Sequence, residues 1–286
     1  MNILIVGHGF VGQAVHYGFS NYPVDVVDPK YGTELPGNGG EDYDVIFVCV
    51  PTPMGEEGYC DTSILDSVID NLKCGSKPLI VIKSTVPPKQ ISSKYGWRQR
   101  VVYNPEFLTE RSAAEQFVDP QFHIMGGGKQ DCEELAEIYE KHSLCNPCPV
   151  HIMTMEQASF VKYSINSFLA MKVTFFNQLF DCVKQRYQEY EPIVKAVGSD
   201  KRIGHSHTKV PGFDRKRGYG GACFPKDTSA FIKEFPQLTL LEECVKINNQ
   251  YRSEYSLDER EKEQHVNYGQ AKEELKDKDN GGSIPV

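Results

Sequence analysis

The sequence has 286 residues, of which 40% are hydrophobic and 24% charged, a composition typical of a soluble globular protein of about two domains. A formal net charge of −8 argues against a nucleic-acid-binding or membrane-surface protein, and no apolar run approaches the roughly 20 residues that a membrane helix needs. Nine cysteines, an odd number without a regular framework, are typical of a reducing cytoplasm. We therefore expect a cytoplasmic protein with no nucleic-acid partner and no membrane contact.

The N-terminal residues match a nucleotide-binding pattern. Residues 1–6 predict a short apolar strand, and the glycine motif GHGFVG at 7–12 and a helix-forming segment follow it. A second predicted strand at 24–27 ends on Asp28. This order of strand, glycine turn, helix, strand and acid is the dinucleotide-binding fingerprint in its required context. The sequence therefore predicts that this region binds a dinucleotide.

The glycines and the acid have separate tasks in this fingerprint. Gly7 allows the tight turn, Gly9 lets the backbone approach a diphosphate, and Gly12 lets the helix pack closely against the strand. Asp28 is placed to accept a hydrogen bond from a ribose 2′-hydroxyl, which favours NAD over NADP. Lys30 nearby is the one residue that leaves NADP open.

Alternating strands and helices continue to about residue 150. We expect further strands at 43–50, 79–82 and 101–103, with a helix at 62–72. The strand segments are continuous apolar runs, as in parallel strands that are buried on both faces. The sequence therefore predicts an α/β fold, with a Rossmann-type doubly wound parallel sheet as an NAD-binding domain over residues 1–150.

Polar side chains follow the carboxyl ends of these strands. Pro51 and Thr52 follow one strand, Thr85 follows another, and Glu106 and Glu110 follow a third. Each of them alone is as readily a cap or turn residue as a functional one. Doubly wound sheets bind ligands at this edge, so their shared location indicates a binding site.

A Cys-x-x-Cys pair, Cys145 and Cys148, could in principle be a redox pair or half of a zinc site. No second cysteine pair and no histidine pair at ligand spacing accompanies it in the sequence. We interpret both as ordinary thiols near a strand end and predict no metal site.

Residues 155–186 contain no glycine or proline and predict one long helix, on which an all-α central domain over 151–252 is built. Apolar residues cover much of its circumference, which is typical of a helix buried in a domain core and a subunit interface together. Lys162 and Asn166, four residues apart, share one face, where a cation and an amide suit the stabilisation of an oxyanion. A solvated polar stripe is the alternative interpretation.

A basic loop follows this helix. Residues 200–217 contain eight Lys, Arg and His residues against two Asp residues. In an acidic protein, such a local excess of positive charge suggests an anionic substrate such as a phosphate or a carboxylate. A solvated surface loop is the alternative.

The motif GYGGACFPKD at 218–227 is the most informative stretch of the chain. Three glycines precede Cys223, so a ligand can approach the backbone closely. The cysteine lies just ahead of a predicted helix, whose dipole favours a thiolate, and Asp227 in the first turn could orient a proton or a water. A glycine turn with a buried cysteine is the alternative. After another predicted helix at 238–252, residues 253–286 form a polar C-terminal tail.

With these motifs assembled, the chain resembles the UDP-glucose/GDP-mannose dehydrogenase family of NAD-dependent nucleotide-sugar 6-dehydrogenases. The chain stops where such proteins usually begin a third domain, so the resemblance is to a short form that lacks the C-terminal UDP-binding domain. The matching motifs cover about residues 1–252 in the family's order: GHGFVG at 7–12, CVPTP at 49–53, KSTVP at 83–87, NPEFLTE at 104–110, KYSINSFLAMK at 162–172, KRIG at 201–204 and GYGGACFPKD at 218–227.

The resemblance implies roles for the matching residues. The implied catalytic residues are Cys223 as nucleophile, Lys162, Asn166, Asp227, Glu106 and Thr85. The implied NAD contacts are Gly7, Gly9, Phe10, Val11, Gly12, Asp28, Lys30, Pro51, Thr52, Thr85 and Glu110. The implied substrate contacts are Glu106, Phe107, Leu108, Lys162, Asn166, Arg202, Gly220 and Cys223. In family members the matching arginine reaches the substrate of a neighbouring subunit, which implies a homodimer.

The implied reaction is a four-electron oxidation of a nucleotide sugar, UDP-glucose to UDP-glucuronate, through a thiohemiacetal and a thioester on Cys223, as used in polysaccharide biosynthesis. The resemblance implies that the segment 211–217 is an insertion relative to the family, and we hypothesise that Lys209, Arg215 and Arg217 bind phosphate. Two alternatives stay open: a two-electron dehydrogenase of the 6-phosphogluconate or β-hydroxyacid type, and a non-catalytic NAD-binding remnant.

Overall fold

The computed structural model describes residues 1–75 and 77–269. The chain divides into two compact units, the first containing Met1–Asn166 with Lys233–Phe235 and the second containing Ser167–Ile232 with the chain from Pro236. The first division therefore falls inside the long helix. The sequence motifs predict different limits for the NAD-binding domain, the central domain and the tail. Those limits stay predictions, because the division into units follows the contacts between residues and not the motifs.

The first unit is built on one seven-stranded sheet in the order β2-β1-β3-β4-β5-β6-β7. All neighbouring strands are parallel except β5 and β6, which run antiparallel. The strands are β1 (Ile3–Val6), β2 (Val24–Val27), β3 (Val45–Val48), β4 (Leu79–Ile82), β5 (Val101–Tyr103), β6 (His123–Gly127) and β7 (Val150–Met153). Every residue of β1, β3, β4 and β5 is buried, as the continuous apolar sequences predict.

Helices cover both faces of this sheet. They are α1 (Phe10–Gly18), α2 (Ser63–Asn71), α3 (Pro88–Tyr95), α4 (Ala113–Val118), α5 (Lys129–His142) and the N-terminal part of α6 (Met155–Gln185). One apolar cluster joins the sheet to α2, α3 and α6, and a second joins it to α1, α4 and α5. The predicted doubly wound Rossmann-type fold is therefore confirmed. The sheet differs from the predicted parallel sheet at β6, which runs antiparallel to β5. Antiparallel neighbours, unlike parallel ones, can be joined without a long crossover connection.

The regular elements described in the second unit are all helical. They comprise the rest of α6, α7 (Tyr190–Gly198), α8 (Phe224–Glu234), α9 (Thr239–Arg252) and α10 (Glu259–Glu263). A small apolar core of Phe176, Val183, Tyr190 and Val194 joins α6 to α7. The predicted all-α region on a long helix is confirmed.

The start of the predicted C-terminal tail is packed and partly helical. Asp258 caps α10 in a capping box with Glu261, and the side chains of Glu261, Val266 and Tyr268 are buried. Residues 270–286 of that tail lie outside the described residues. Within the described residues, no helix has the length and hydropathy that a membrane span requires.

Candidate functional site

The glycine turn after β1 lies at the switch point of the sheet. β1 pairs with β2 on one side and β3 on the other, so the connections diverge there. Gly7 has φ of 90°, and a Cβ on it would lie 2.7 Å from the carbonyl oxygen of Cys49 after β3. A Cβ on Gly12 would overlap the carbonyl oxygen of Gly7. Both positions therefore require glycine because protein backbone lies against them.

Gly9 differs from these two glycines because it faces open space. It is the residue before α1, and a Cβ on it would meet nothing within 4 Å. A helix N-terminus presents free backbone N–H groups and a partial positive charge to an anion. Phe10 and Val11, both half-buried, begin this helix. The geometry fits the diphosphate of a dinucleotide beside Gly9.

Asp28 is fixed against the glycine turn. Its Oδ2 accepts a hydrogen bond from the backbone N–H of His8 at 2.6 Å, and its Oδ1 accepts one from Lys30 N–H at 2.9 Å. Each carboxylate oxygen retains a lone pair, so ribose hydroxyls can still donate to Asp28. The residues present therefore fit NAD, with Asp28 on the ribose, while the Lys30 side chain is exposed.

His8, inside the glycine motif, is a residue that the sequence analysis missed. Its Nε2 lies 3.1 Å from His16 Nδ1 and its Nδ1 lies 3.0 Å from the Tyr31 hydroxyl. Burial, and then the neighbouring His16, lower the pKa of His8, which favours the neutral ring beside the turn. The available signal was a histidine at the variable position between two fingerprint glycines.

The loops after β3 and β4 are tied together at the predicted ligand edge. Thr52 Oγ1 donates to the backbone oxygen of Thr85 at 2.8 Å, and Ser84 Oγ donates to the backbone oxygen of Val50 at 2.6 Å. Pro51 is exposed and Thr85 is half-buried. The Thr52 hydroxyl therefore holds the edge of the sheet in shape.

Lys162 and Glu106 come together in the first unit. Lys162 Nζ donates to the Glu106 backbone oxygen at 2.6 Å and lies 3.6 Å from its Oε1. Their side chains are 4% and 7% exposed, and Asn166 is also buried. The alternative of a solvated polar stripe is therefore wrong for this face of α6. The pair can present a positive charge and a carboxylate to a bound molecule.

The residues next to Glu106 complete its surroundings. The backbone N–H of Leu108 donates to Glu106 Oε2 at 2.5 Å, and the Phe107 ring centroid lies 5.3 Å from Lys162 Nζ. Glu110, by contrast, is exposed at the start of a short 3-10 helix. The structure thus groups Glu106, Phe107 and Leu108 around the lysine.

A second buried lysine lies behind this edge. Lys83 Nζ donates to Asn104 Oδ1 at 2.9 Å, and the Tyr139 hydroxyl donates to the same oxygen at 2.8 Å. Burial lowers the pKa of Lys83. The sequence analysis assigned this lysine no role, although it lies in the KSTVP segment at 83–87.

The loop before α8 has a shape that depends on its glycines. Gly218 has φ of 72°, and a Cβ on it would lie 2.5 Å from Asn248 Oδ1. That same oxygen accepts a hydrogen bond from Tyr219 N–H at 2.7 Å, while Asn248 Nδ2 donates to Tyr219 O at 3.1 Å. A Cβ on Gly220 would overlap the guanidinium of Arg252. We call residues 218–223 the glycine–cysteine loop.

Cys223 ends this loop directly before α8, as predicted. It is half-buried, and its carbonyl oxygen accepts a hydrogen bond from Asp227 N–H at 3.0 Å. Asp227 is buried in the first turn, with its Oδ1 2.6 Å from Lys226 Nζ. A cysteine ahead of a helix N-terminus lies where the dipole favours the thiolate.

One cation of the basic loop, Arg217, already has partners within the protein. The Arg217 guanidinium lies 5.0 Å from the Phe180 ring centroid and 4.4 Å from that of Tyr251, and it pairs with Asp181 at 2.9 Å. It is therefore engaged within its own unit. The phosphate hypothesis retains Lys209 and Arg215, whose side chains are exposed.

Arg202 is exposed and pairs with Asp200, with its Nη2 2.6 Å from the Asp200 carboxylate. Its role toward a neighbouring subunit stays a prediction. None of the nine cysteines, all of which lie within the described residues, forms a disulfide bond, and this includes Cys145 and Cys148. No cluster of three or more His, Cys, Asp or Glu side chains arranged for a metal ion occurs among residues 1–75 and 77–269.

Comparison with known proteins adds independent findings. The NAD binding domain of the UDP-glucose/GDP-mannose dehydrogenase family matches residues 37–143, and the central domain of the same family matches residues 156–250. The first range begins after the glycine turn, so the nucleotide-binding interpretation of that turn rests on its own geometry. The second range includes Lys162 and Cys223.

Individual relatives agree with these matches. UDP-glucose 6-dehydrogenase of Rickettsia felis is 33% identical over 273 residues, covering 80% of this chain and 60% of that protein. The Pseudomonas aeruginosa enzyme of the same name is 35% identical over 214 residues, covering 70% of this chain and 46% of that protein. This chain therefore spans about half to three-fifths of these relatives.

The same likeness appears among solved structures. A UDP-glucose dehydrogenase from the archaeon Pyrobaculum islandicum superposes with a TM-score of 0.72 at 27% identity, covering 89% of this chain and 69% of that one.

Proposed function

The chain belongs to the UDP-glucose/GDP-mannose dehydrogenase family, and we propose that it oxidises the C6 alcohol of a nucleotide sugar to a carboxylate, with NAD as cofactor. UDP-glucose is the substrate that the names of the relatives favour, with UDP-glucuronate as the product. The single observation that carries the proposal is the half-buried Cys223 directly ahead of α8, at the end of a loop whose shape requires glycine.

The need for a nucleophile follows from the chemistry of two successive oxidations. Bound NAD supplies the hydride acceptor in each oxidation. The first oxidation turns the C6 alcohol into an aldehyde, which would be lost to solvent unless it were held. The Cys223 Sγ adds to the aldehyde carbon, which forms a carbon–sulfur bond and gives a thiohemiacetal. Loss of the second hydride turns this adduct into a thioester, and water then releases the carboxylate and the thiol.

Charge develops on the sugar oxygen in these steps, and two side chains are suited to it. We assign the stabilisation of this charge to Lys162 and Asn166, because both match motif positions of the family and both are buried. Burial makes a fixed hydrogen-bond donor more effective. Lys162 or Asp227 moves the proton of the alcohol. Both groups are buried, so few water molecules compete for that proton.

Thioester hydrolysis needs a base and a held water. Glu106 is our candidate for the base, because its carboxylate is buried beside a cation and close to the loops at the ligand edge. Thr85, half-buried after β4, is our candidate for holding the water. A homodimer with Arg202 reaching a neighbouring subunit, a cytoplasmic location and a role in polysaccharide biosynthesis complete the proposal.

A panel of UDP- and GDP-sugars with NAD tests this function through the yield of NADH. We expect two NADH per sugar consumed and a carboxylate product, with UDP-glucose the best substrate. One NADH per substrate would instead identify a two-electron dehydrogenase of the 6-phosphogluconate or β-hydroxyacid type. Binding of NAD without turnover of any sugar would identify a non-catalytic remnant.

A further inference from the structure

A buried ion pair joins α9 to the C-terminal segment (residues 253–269). The side chains of Arg252 and Glu261 are 1% and 0% exposed. Arg252 Nη2 donates to Glu261 Oε1 at 2.5 Å, and Nη1 donates to Asp214 Oδ2 at 2.7 Å. Burying two charges costs desolvation free energy that their attraction often fails to recover. Stability alone therefore does not account for the pair.

Glu261 also touches the glycine–cysteine loop. Its Oε1 accepts a hydrogen bond from the Gly221 backbone N–H at 3.2 Å and one from the Tyr268 hydroxyl at 2.8 Å. A Cβ on Gly220 would overlap both Glu261 Oε1 and the Arg252 guanidinium. The backbone that leads to the cysteine therefore lies directly on the ion pair.

The position of Glu261 is itself fixed. Its backbone N–H donates to Asp258 Oδ1 at 2.9 Å, and its Oε2 accepts from the Asp258 N–H at 2.9 Å. Burial alone would raise the pKa of Glu261, but the hydrogen bonds from Asp258 and Tyr268 and the charge of Arg252 hold it below its usual value. Glu261 is therefore an anion that the C-terminal segment holds against the loop.

We propose that Glu261 is a positioning residue that fixes the backbone at Gly220 and Gly221, and through it the thiol of Cys223. The C-terminal segment is then part of the machinery that shapes the reactive loop. The catalytic part of this inference rests on the proposed function, but the positioning of the thiol does not. The reactivity of Cys223 can be measured without any sugar substrate.

The test is alkylation of the full-length protein with iodoacetamide, followed peptide by peptide so that each cysteine is resolved. The variants are Glu261→Gln, which removes the charge at constant shape, and Arg252→Gln/Glu261→Gln, which removes both charges. Glu242→Gln is the matched control, because Glu242 is on α9 but forms an exposed pair with Lys246. Thermal unfolding is recorded for each variant.

In Glu261→Gln we expect Cys223 to be alkylated about tenfold faster, the effect of losing one charge-assisted hydrogen bond that restrains a loop. Cys244, half-buried on α9, should keep its wild-type rate. The double variant should regain part of the melting temperature, because it removes both charges of the Arg252–Glu261 pair, although Asp214 loses its hydrogen bond from Arg252. It should keep the fast alkylation of Cys223. Glu242→Gln should match the wild type.

Two results would overturn the inference: a wild-type alkylation rate of Cys223 in both Glu261 variants, or equal acceleration of Cys223 and Cys244. Should Glu261→Gln not fold, the double variant and the milder Tyr268→Phe, which removes one hydrogen bond to Oε1, give the same comparison. Failure of the proposed function is distinct from either result: the wild type would then turn over no sugar, while the alkylation rates still differed.

Discussion

Lys162 Nζ lies 2.6 Å from the backbone oxygen of Glu106 and 3.6 Å from its carboxylate, and both side chains are almost entirely buried. The carbonyl oxygen and the carboxylate hold the cation in one place, so it need not reorganise when negative charge develops on a substrate. The buried Glu106 carboxylate in turn has the Lys162 ammonium as its counter-charge. Lys162 and Asn166, four residues apart on the same helix, are thus both desolvated, and the proposed catalytic role rests on this burial.

Lys162→Met removes the charge and leaves the buried Glu106 carboxylate without its cation, so the melting temperature should also fall. We expect kcat to fall about 10²–10³-fold, the range seen when one oxyanion donor is lost, with little change in the KM for NAD. Steady-state kinetics measure this effect. Lys184→Met is the matched control, since Lys184 is exposed on the same helix. Wild-type kcat in the Lys162 variant would remove the lysine from the reaction.

Cys223→Ser should abolish steady-state carboxylate formation, because a hydroxyl is a far weaker nucleophile than a thiolate. Mass spectrometry of the wild type, quenched during turnover with the sugar, should show the adduct on the peptide that contains Cys223. Cys182→Ser is the control, because Cys182 is an exposed thiol on α6. Unimpaired carboxylate production by Cys223→Ser would remove this thiol from the mechanism.

Two glycines of the same turn should respond oppositely to alanine. Gly9→Ala should fold with an unchanged melting temperature, because its Cβ meets nothing within 4 Å, yet bind NAD at least about tenfold more weakly if the open space holds the diphosphate. Gly12→Ala should lower the melting temperature, because its Cβ overlaps the Gly7 carbonyl oxygen. Calorimetric NAD titration and thermal unfolding separate the two effects. Equal NAD affinity in Gly9→Ala and the wild type would contradict a diphosphate site there.

His123 should make stability depend on pH. It stacks on Tyr139 with ring centroids 4.3 Å apart, and burial, with the Lys83 charge, lowers its pKa from 6.5 to about 4. The folded chain thus binds fewer protons than the unfolded chain between these values, so stability is lost as pH falls through this window. The loss should amount to about 3 kcal/mol by the lower end.

Denaturant unfolding at several pH values measures this loss. His123→Phe keeps the stacking but cannot take up a proton, so its unfolding free energy should vary less between pH 6.5 and about 4. His151→Gln, at an exposed histidine, is the control. A pH dependence of His123→Phe that parallels the wild type would show that the acid sensitivity arises elsewhere.

Much of the fold follows from local sequence patterns. The continuous apolar runs predicted β3 and β4, and the absence of helix breakers predicted α6. These patterns are local, so they depend little on residues distant in the sequence. The antiparallel direction of β6 is different. It depends on how the chain after β5 turns back, and neither periodicity nor composition encodes that path.

The candidate site divides in the same way. Motif spacing predicted Cys223 ahead of a helix and Lys162 with Asn166 on one helix face. It could not predict that Glu261, which is distant from the cysteine in sequence, accepts a hydrogen bond from the backbone N–H of Gly221. Such a contact joins segments through tertiary packing, and a run of charged residues after α9 has the composition of a solvated tail. Charge counts alone likewise could not show that Arg217 pairs with Asp181.

The basic loop yields the last prediction, because its cations should separate into two classes. Arg217 contacts the rings of Phe180 and Tyr251 and pairs with Asp181, so Arg217→Ala should lower the melting temperature and cost about 2 kcal/mol of stability. Lys209 and Arg215 are exposed, and the double variant Lys209→Ala/Arg215→Ala should keep the wild-type melting temperature.

If the two exposed cations bind substrate phosphate, that double variant should raise the KM for the nucleotide sugar about tenfold and leave the KM for NAD unchanged. The effect should weaken at high salt, because exposed charges are screened. Lys184→Ala/Lys195→Ala, which removes two exposed lysines outside the basic loop, controls for net charge. If the KM for the sugar is unchanged in Lys209→Ala/Arg215→Ala, the loop has a structural role only. Arg217 and Asp214, through their ion pairs with Asp181 and Arg252, are then the residues that provide it.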